Sequence, residues 1–323
     1  MLAFLAALTL LDSYKLVRLP RVLSIVAAGV GVAMICLYVN PWLAGMLGLE
    51  ATTYNGLIGP AVEELLKGSV VAVALLRRRI GFLVDAAVWG FAIGAGFAAF
   101  ENTHYFVVLA KPAPMLWIVR GFGTAIMHGG ATALMAVLSK QLSDRFNSVL
   151  PPVILPGLLL AAVVHAAFNH FYLSPALSTL LLLVVLPLLF VLVFRTSERA
   201  TQRWLGTGFD GDQELLEVIN SGQVETTPMG EYLSDLKSRF PGPIVVDMLC
   251  WIRLHLELSI RAKGVLLMRK AGFEAPSDPE VGERLEELRH LEGTIGATGM
   301  IALHPIFRMS HHDIWQLHRL KDD

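Results

Sequence analysis

Seven apolar stretches of spanning or near-spanning length run along the chain, at about Met1–Leu11, Val22–Val39, Gly56–Leu76, Leu83–Ala110, Met115–Leu138, Val149–Phe171 and Ala176–Phe194. A helix needs about 20 mostly apolar residues to cross the hydrocarbon core of a bilayer. The first stretch is short for that unless it extends toward Leu16. The pattern predicts an all-α fold, a polytopic transmembrane helix bundle of about seven spans. The pattern then changes. Residues 1–195 read as the membrane part and 196–323 as a soluble helical domain.

The soluble part predicts helices over Gln213–Asn220, from Thr227-Pro228 to Arg239, over Ile244–Ala271 and over the charged run Glu280–Glu292. Proline suits the first helical positions, and Gly222 and Gly272 suit helix ends. Ser310, with Asp313 three residues on, predicts a capped last helix through Leu320. Its six histidines, His255, His290, His304, His311, His312 and His318, follow no metal-ligand spacing.

Loop charges predict the orientation. Lys15, Arg18 and Arg21 follow the first stretch and Arg77, Arg78 and Arg79 the third. Lys140 and Arg145 follow the fifth, Arg195 and Arg199 the seventh, and the alternate loops hold only Lys111. Basic loops stay cytoplasmic. The N-terminus is therefore expected outside and the C-terminal domain in the cytoplasm. Of the 323 residues, 54% are hydrophobic and 16% charged, too apolar for an ordinary soluble domain. The part before Arg195 has eleven Lys/Arg against seven Asp/Glu; the rest has fifteen against twenty. The overall charge of −1 gives no reason to expect a nucleic-acid partner. Cys36 and Cys250 lie in different parts and form no disulfide framework or paired-cysteine metal site. No cleavable signal peptide is expected, because no basic region precedes the first apolar run and more spans follow.

Against this apolar background the ionisable residues inside the spans stand out. A charge at the bilayer centre costs about 2.5–3.5 kcal/mol on insertion scales, so such residues mark function or pairing. Glu63, Glu64 and Lys67 lie in GPAVEELLKGSVVAVALLRRR. Glu63 and Lys67, four apart, share a helix face. One carboxylate is expected on the lysine and the other in a cavity, where it can take a proton from water. A bare packing ion pair would explain only one of them. Glu101 follows Gly90, Gly94 and Gly96, small residues that let helices approach closely. It also forms an E-x-x-H pair with His104, a weak di-iron-type signal. Arg120 and His128 are eight apart, about 12 Å along a helix axis, and are not expected to act on the same atom. His165 and Asn169, four apart, can donate to an oxyanion; His170 lies off that face. With the expected orientation, these groups on four spans all fall in the outer half of the membrane, with His128 nearest the midplane.

Four of these segments resemble the PrsW family of intramembrane proteases: EELLK (Glu63, Glu64, Lys67), GFAAFEN (Phe97, Glu101, Asn102), the Arg120/His128 span and HAAFN (His165, Asn169). The family belongs to a wider group with the CAAX prenyl endopeptidases, in which motifs of the type EExxxR, FxxxH and HxxxN recur. The last motif here ends in Asn169 rather than the Asp common in PrsW, and the second ends in Glu101 rather than His, as in PrsW. The resemblance covers about Gly56 to Phe171 and is silent on the tail.

The resemblance implies hydrolysis of a peptide bond in a membrane-anchored protein substrate, within or at the outer face of the bilayer of a bacterial-type cytoplasmic membrane. It implies a role in regulated proteolysis. The favoured mechanism needs no cofactor. Glu63 or Glu64 activates water with His128, His165 and Asn169 polarise the scissile carbonyl, and Glu101, Arg120 and Lys67 orient groups or balance charge. If zinc takes part, Glu64, Glu101, His128 and His165 are the expected ligands, although there is no HExxH. Two other classes compete. One is a non-catalytic membrane sensor or binding protein on a protease-like core, its tail meeting a cytoplasmic regulator. The other is a proton relay or transporter, against which stands the lack of an inverted repeat of broken helices.

Overall fold

The computed structural model describes residues 2–12, 17, 19–108, 119–146, 148–149, 151–170, 172–273 and 278–307. Every regular element among them is helical. In order these are α1 (Leu2–Leu11), α2 (Leu19–Leu47), α3 (Gly59–Leu76), α4 (Leu83–Val108), α5 (Ala125–Phe146), α6 (Pro151–Asn169) and α7 (Pro175–Asn220). Two of them are extended at their N-terminal ends by π-helical segments, Tyr54–Ile58 before α3 and Val119–Thr124 before α5. By length and composition, five helical runs can cross a membrane: α2, α4, Val119–Phe146, α6 and α7. The other two of the seven expected segments differ for plain reasons. The first helix, α1, has 10 residues. The 18-residue α3 carries Glu63, Glu64 and Lys67 in its apolar run.

Glycines set the helix spacing. Helix α4 lies between α2 and α5. A methyl group at Gly96 would lie 3.1 Å from the backbone nitrogen of Val30 on α2, and one at Gly94 would lie 2.7 Å from the Cα of Gly129 on α5. Backbones this close leave no room for any side chain. On the far side of α5, α6 packs at Gly157, where a methyl would sit 2.9 Å from Ser139 Oγ. Helix α3 touches α2, α4, α5 and α6. The glutamates of α3 therefore face side chains from four neighbouring helices.

The chain divides into two compact units, Met1–Glu198 and Arg199–Asp323. The second contains a 3₁₀ turn at Gln223–Thr226, α8 (Pro228–Leu236), α9 (Gly242–Lys270) and α10 (Glu280–Leu303). Thr227 caps α8 by accepting from Gly230 N at 3.2 Å. Trp251, Met248, Ile252 and Leu256 of α9 pack with Leu285, Leu288 and Ile295 of α10. Three helix limits differ from expectation. Gln213–Asn220 is the end of the continuous α7, α8 stops at Leu236 three residues before Arg239, and the charged helix runs on to Leu303 past a break at Gly296, φ 71°. His255 is buried between Trp251 and Phe307, while His290 and His304 are exposed. The expected Ser310–Leu320 helix, Asp313, His311, His312 and His318 lie outside the described residues.

Candidate active site

The lysine pairs with Glu64, not with Glu63. Lys67 Nζ is 2.5 Å from Glu64 Oε1, and both side chains are wholly buried. Three and four residues apart are both neighbourly on a helix, so packing decides. Glu64 and Lys67 face the bundle interior, and Glu63 stands at its edge toward α2. Glu64 is also satisfied by others: His165 Nδ1 lies 2.9 Å from Oε1, and Thr132 donates to Oε2 at 3.4 Å. The Lys67 ammonium further touches His128 Nδ1 at 3.1 Å and stands 4.6 Å over the Phe97 ring. A buried charge pair is tolerated only with such extra hydrogen bonds.

Glu63 is placed differently. Its Oε1 accepts from Asn40 Nδ2 at 3.0 Å, and Asn40 Oδ1 in turn accepts from Tyr54 OH at 3.1 Å. Its Oε2 is buried with no hydrogen-bond partner among the described residues. That oxygen faces His165 Nε2 at 3.8 Å. Glu63, Asn40 and Tyr54 line a cavity of ≈ 340 Å³ between α2 and α4, whose apolar wall includes Cys36, Leu37 and Phe100. Glu101 and His104 also line it. A neutral imidazole that gives its Nδ1 proton to Glu64 presents Nε2 as an acceptor. Two acceptors 3.8 Å apart then face each other, an arrangement suited to a shared proton donor or a cation.

Arg120 and His128 meet on one atom, contrary to the expectation from their spacing. Arg120 Nη2 lies 3.2 Å and His128 Nε2 3.1 Å from Glu101 Oε2. Axial rise counts only backbone separation. A guanidinium on a long stem closes the gap, and the π segment that carries Arg120 departs from the α-helical register. The segment is tied to α4, since Asn102 donates to the Arg120 carbonyl at 2.9 Å and the guanidinium stacks 3.8 Å over Tyr105. His104 lies against Tyr105 and lines the cavity, but Glu101's ion-pair partners are Arg120 and His128.

Asn169 donates to the Asn55 carbonyl at 3.2 Å and so ties the end of α6 to the π segment before α3. His170 is exposed and stacked on Tyr172. His128 and His165 pack edge to face, 4.6 Å between ring centres. The structure thus brings Glu63, Glu64, Lys67, Glu101, Arg120, His128 and His165 into one continuous polar cluster, whereas the bond of Asn169 goes to the Asn55 carbonyl and not to a member of it. Sequence reasoning missed Asn40, Tyr54 and Thr132. Asn40 had a legible signal, a polar residue just before Pro41 at the end of an apolar run. Tyr54 and Thr132 had none, since both residue types are common near membrane interfaces and helix contacts.

One ligand atom each from Glu63, His128 and His165 lie within 4.8 Å of one another, two imidazoles and a carboxylate. That set differs from the expected zinc set by having Glu63 in place of Glu64 and Glu101. Glu64 is taken by Lys67 and His165, and Glu101 by Arg120 and His128. Among curated proteins and among solved structures, nothing matches the chain. The profile of the PrsW family intramembrane metalloprotease matches residues 18–194, more than half of the sequence and the whole of this cluster, and the chain belongs to that family of multi-pass intramembrane proteases.

Proposed function

We propose that the chain hydrolyses a peptide bond of a membrane-anchored protein, and that Glu63 is the carboxylate that acts on the water. One observation carries the assignment. Glu63 is the α3 glutamate that lines the cavity, and it keeps one oxygen without a hydrogen-bond partner. Glu64 has both oxygens engaged and serves instead to orient His165. A water between Glu63 Oε2 and His165 Nε2 would donate to both and give up its proton to the carboxylate as it attacks the carbonyl. His128, held by Glu101 and Lys67, stands beside this pair. Arg120 balances the charge of Glu101. Asn169 is bonded to Asn55, which lines the cavity, and would polarise the scissile carbonyl once it leaves the Asn55 carbonyl.

A second reading is favoured by the family description and by the converging donor set. Glu63, His128 and His165 would hold a divalent cation such as zinc once His128 gave up its contact with Lys67 or Glu101: the types are those of catalytic sites, one carboxylate oxygen lacks a partner, and Glu64 holds His165 Nδ1 as outer carboxylates hold metal-bound histidines. When bound, such an ion would lower the pKa of its water to about 7. Glu63 would then be a ligand, and Glu101 would remain as the carboxylate on the cavity wall.

Glu63→Gln keeps shape and should lower turnover by about 10²–10⁴-fold, the usual worth of general acid–base catalysis, with insertion and abundance unchanged. Purified protein is assayed on a labelled single-span peptide, with and without a chelator, and its metal content is measured. Turnover that survives complete chelation supports the glutamate reading; loss restored by zinc supports the metal reading. Cleavage by Glu63→Gln at the wild-type rate would overturn both and favour a non-catalytic sensor or binding protein on this core.

The basic loops and the placement of the cluster favour an outer-half site. Tyr54 precedes α3, Arg120 precedes α5, and Asn40, Glu101 and Asn169 fall near the C-terminal ends of α2, α4 and α6. With the N-terminus outside a bacterial-type cytoplasmic membrane, all of these ends are external. The second unit then lies in the cytoplasm, where a regulator would reach it.

A further inference from the structure

The geometry points to Asn40 and Tyr54 as a positioning pair that aims the Glu63 carboxylate. The inference rests on the reading of Glu63 above and deepens it. Asn40 sits in the last turns of α2, immediately before Pro41. Its amide bridges two elements. The nitrogen gives a hydrogen to Glu63 Oε1 at 3.0 Å, and the oxygen receives one from Tyr54 OH at 3.1 Å. The second bond decides the orientation of the first. An ionised carboxylate only accepts, so Asn40 must present its NH₂ to Glu63, and the phenol hydroxyl occupies the amide oxygen that would otherwise be turned there.

A glutamate carboxylate rotates broadly about its last torsion. Anchoring Oε1 from the α2 side leaves Oε2 turned toward His165 Nε2, 3.8 Å away. Tyr54 can do this because it is itself held. It is 1% exposed, and the π segment that carries it is tied to α6 by the Asn169–Asn55 hydrogen bond. A π turn widens the helix locally, and such turns recur at functional sites. The chain of contacts therefore runs from α6 through the π segment and α2 to the reacting carboxylate of α3. Asn40 and Tyr54 touch no reacting atom in this arrangement. They act through Glu63, and misplacement of a reacting group by about 1 Å can cost about 10²-fold in rate.

The test uses full-length protein and a quenched-fluorescent peptide with one apolar span that the wild type cleaves. Asn40→Ala should lower kcat by about 10²-fold. Tyr54→Phe keeps the buried ring and removes only the hydroxyl, and should lower kcat by about 10-fold. KM should stay within about twofold in both, because neither change alters a substrate contact in this arrangement. The decisive measurement is the double variant. Since Tyr54 acts through Asn40, Asn40→Ala with Tyr54→Phe should be no slower than Asn40→Ala alone. A merely structural role would instead multiply the two losses or lower thermal stability in step with them. Losses that multiply, or single variants within twofold of wild type while Glu63→Gln is inactive, would overturn the positioning role alone. Glu63→Gln with wild-type turnover would remove the parent reading and this one with it.

Discussion

Lys67 and Glu63 lie on one helix and should fail in different ways when changed. Lys67 neutralises Glu64 where neither has any exposure. Lys67→Met leaves a buried carboxylate without its cation, at a cost of about 3–5 kcal/mol. The variant should unfold at clearly lower temperature in detergent and accumulate poorly. Adding Glu64→Gln removes the stranded charge and should restore much of the stability, but not the cleavage, since His165 loses its charged partner. Glu63→Gln should unfold like the wild type, because its edge position and its amide neighbour suit a glutamine. Equal stability of Lys67→Met and wild type would show that Glu64 does not depend on this lysine. Arg120 and His128 teach the same point about single side chains, since both reach Glu101 Oε2 despite lying eight residues apart.

The helices that hold these side chains owe their spacing to glycine. Gly94→Ala would push a methyl to 2.7 Å from the Gly129 Cα and force α4 from α5 beside His128. Overpacking of this kind costs about 1–3 kcal/mol. Gly31→Ala, on α2, meets nothing within 4 Å and should be neutral or slightly stabilising, as alanine favours helix by up to about 1 kcal/mol. Thermal unfolding of the two variants in the same detergent checks the contrast. If Gly94→Ala is as stable as Gly31→Ala, the helices are less tightly apposed than the structure has them. The π segments before α3 and α5 belong to the same level. They carry Tyr54 and Arg120, and α-helical continuation would redirect both.

The chain as a unit in a bilayer makes its own predictions. Reporter fusions after residue 48 should read outside, and those after residues 80, 145 and 210 inside, from the basic-loop asymmetry. An external fusion at 210 would reverse the proposed orientation and move the site to the inner half. The second unit has its own core of α9 and α10 and supplies no member of the polar cluster. A chain ended after Arg203 should insert, fold and still cleave a short single-span peptide. Loss of turnover in a correctly inserted truncation would give the second unit a part in the chemistry.

The helical class and the residues worth watching were legible in the chain. Long apolar runs demand helix, because a bilayer leaves no solvent for unpaired backbone groups. Ionisable residues inside such runs are costly enough to announce themselves, which is why Glu63, Glu64, Glu101, His128 and His165 could be named. The partners were less accessible. Expectation put Lys67 with Glu63, and packing gave it to Glu64, because two adjacent residues differ by about 100° in direction and only the neighbouring helices say which direction is interior. Asn40 and Tyr54 lie outside the motifs and carry no charge; Asn40 meets Glu63 across 23 residues of chain, and Tyr54 meets Asn40 across 14. Contacts of that kind depend on the rotation of each helix about its axis and on how near its glycines let it come, which are properties of the packed bundle.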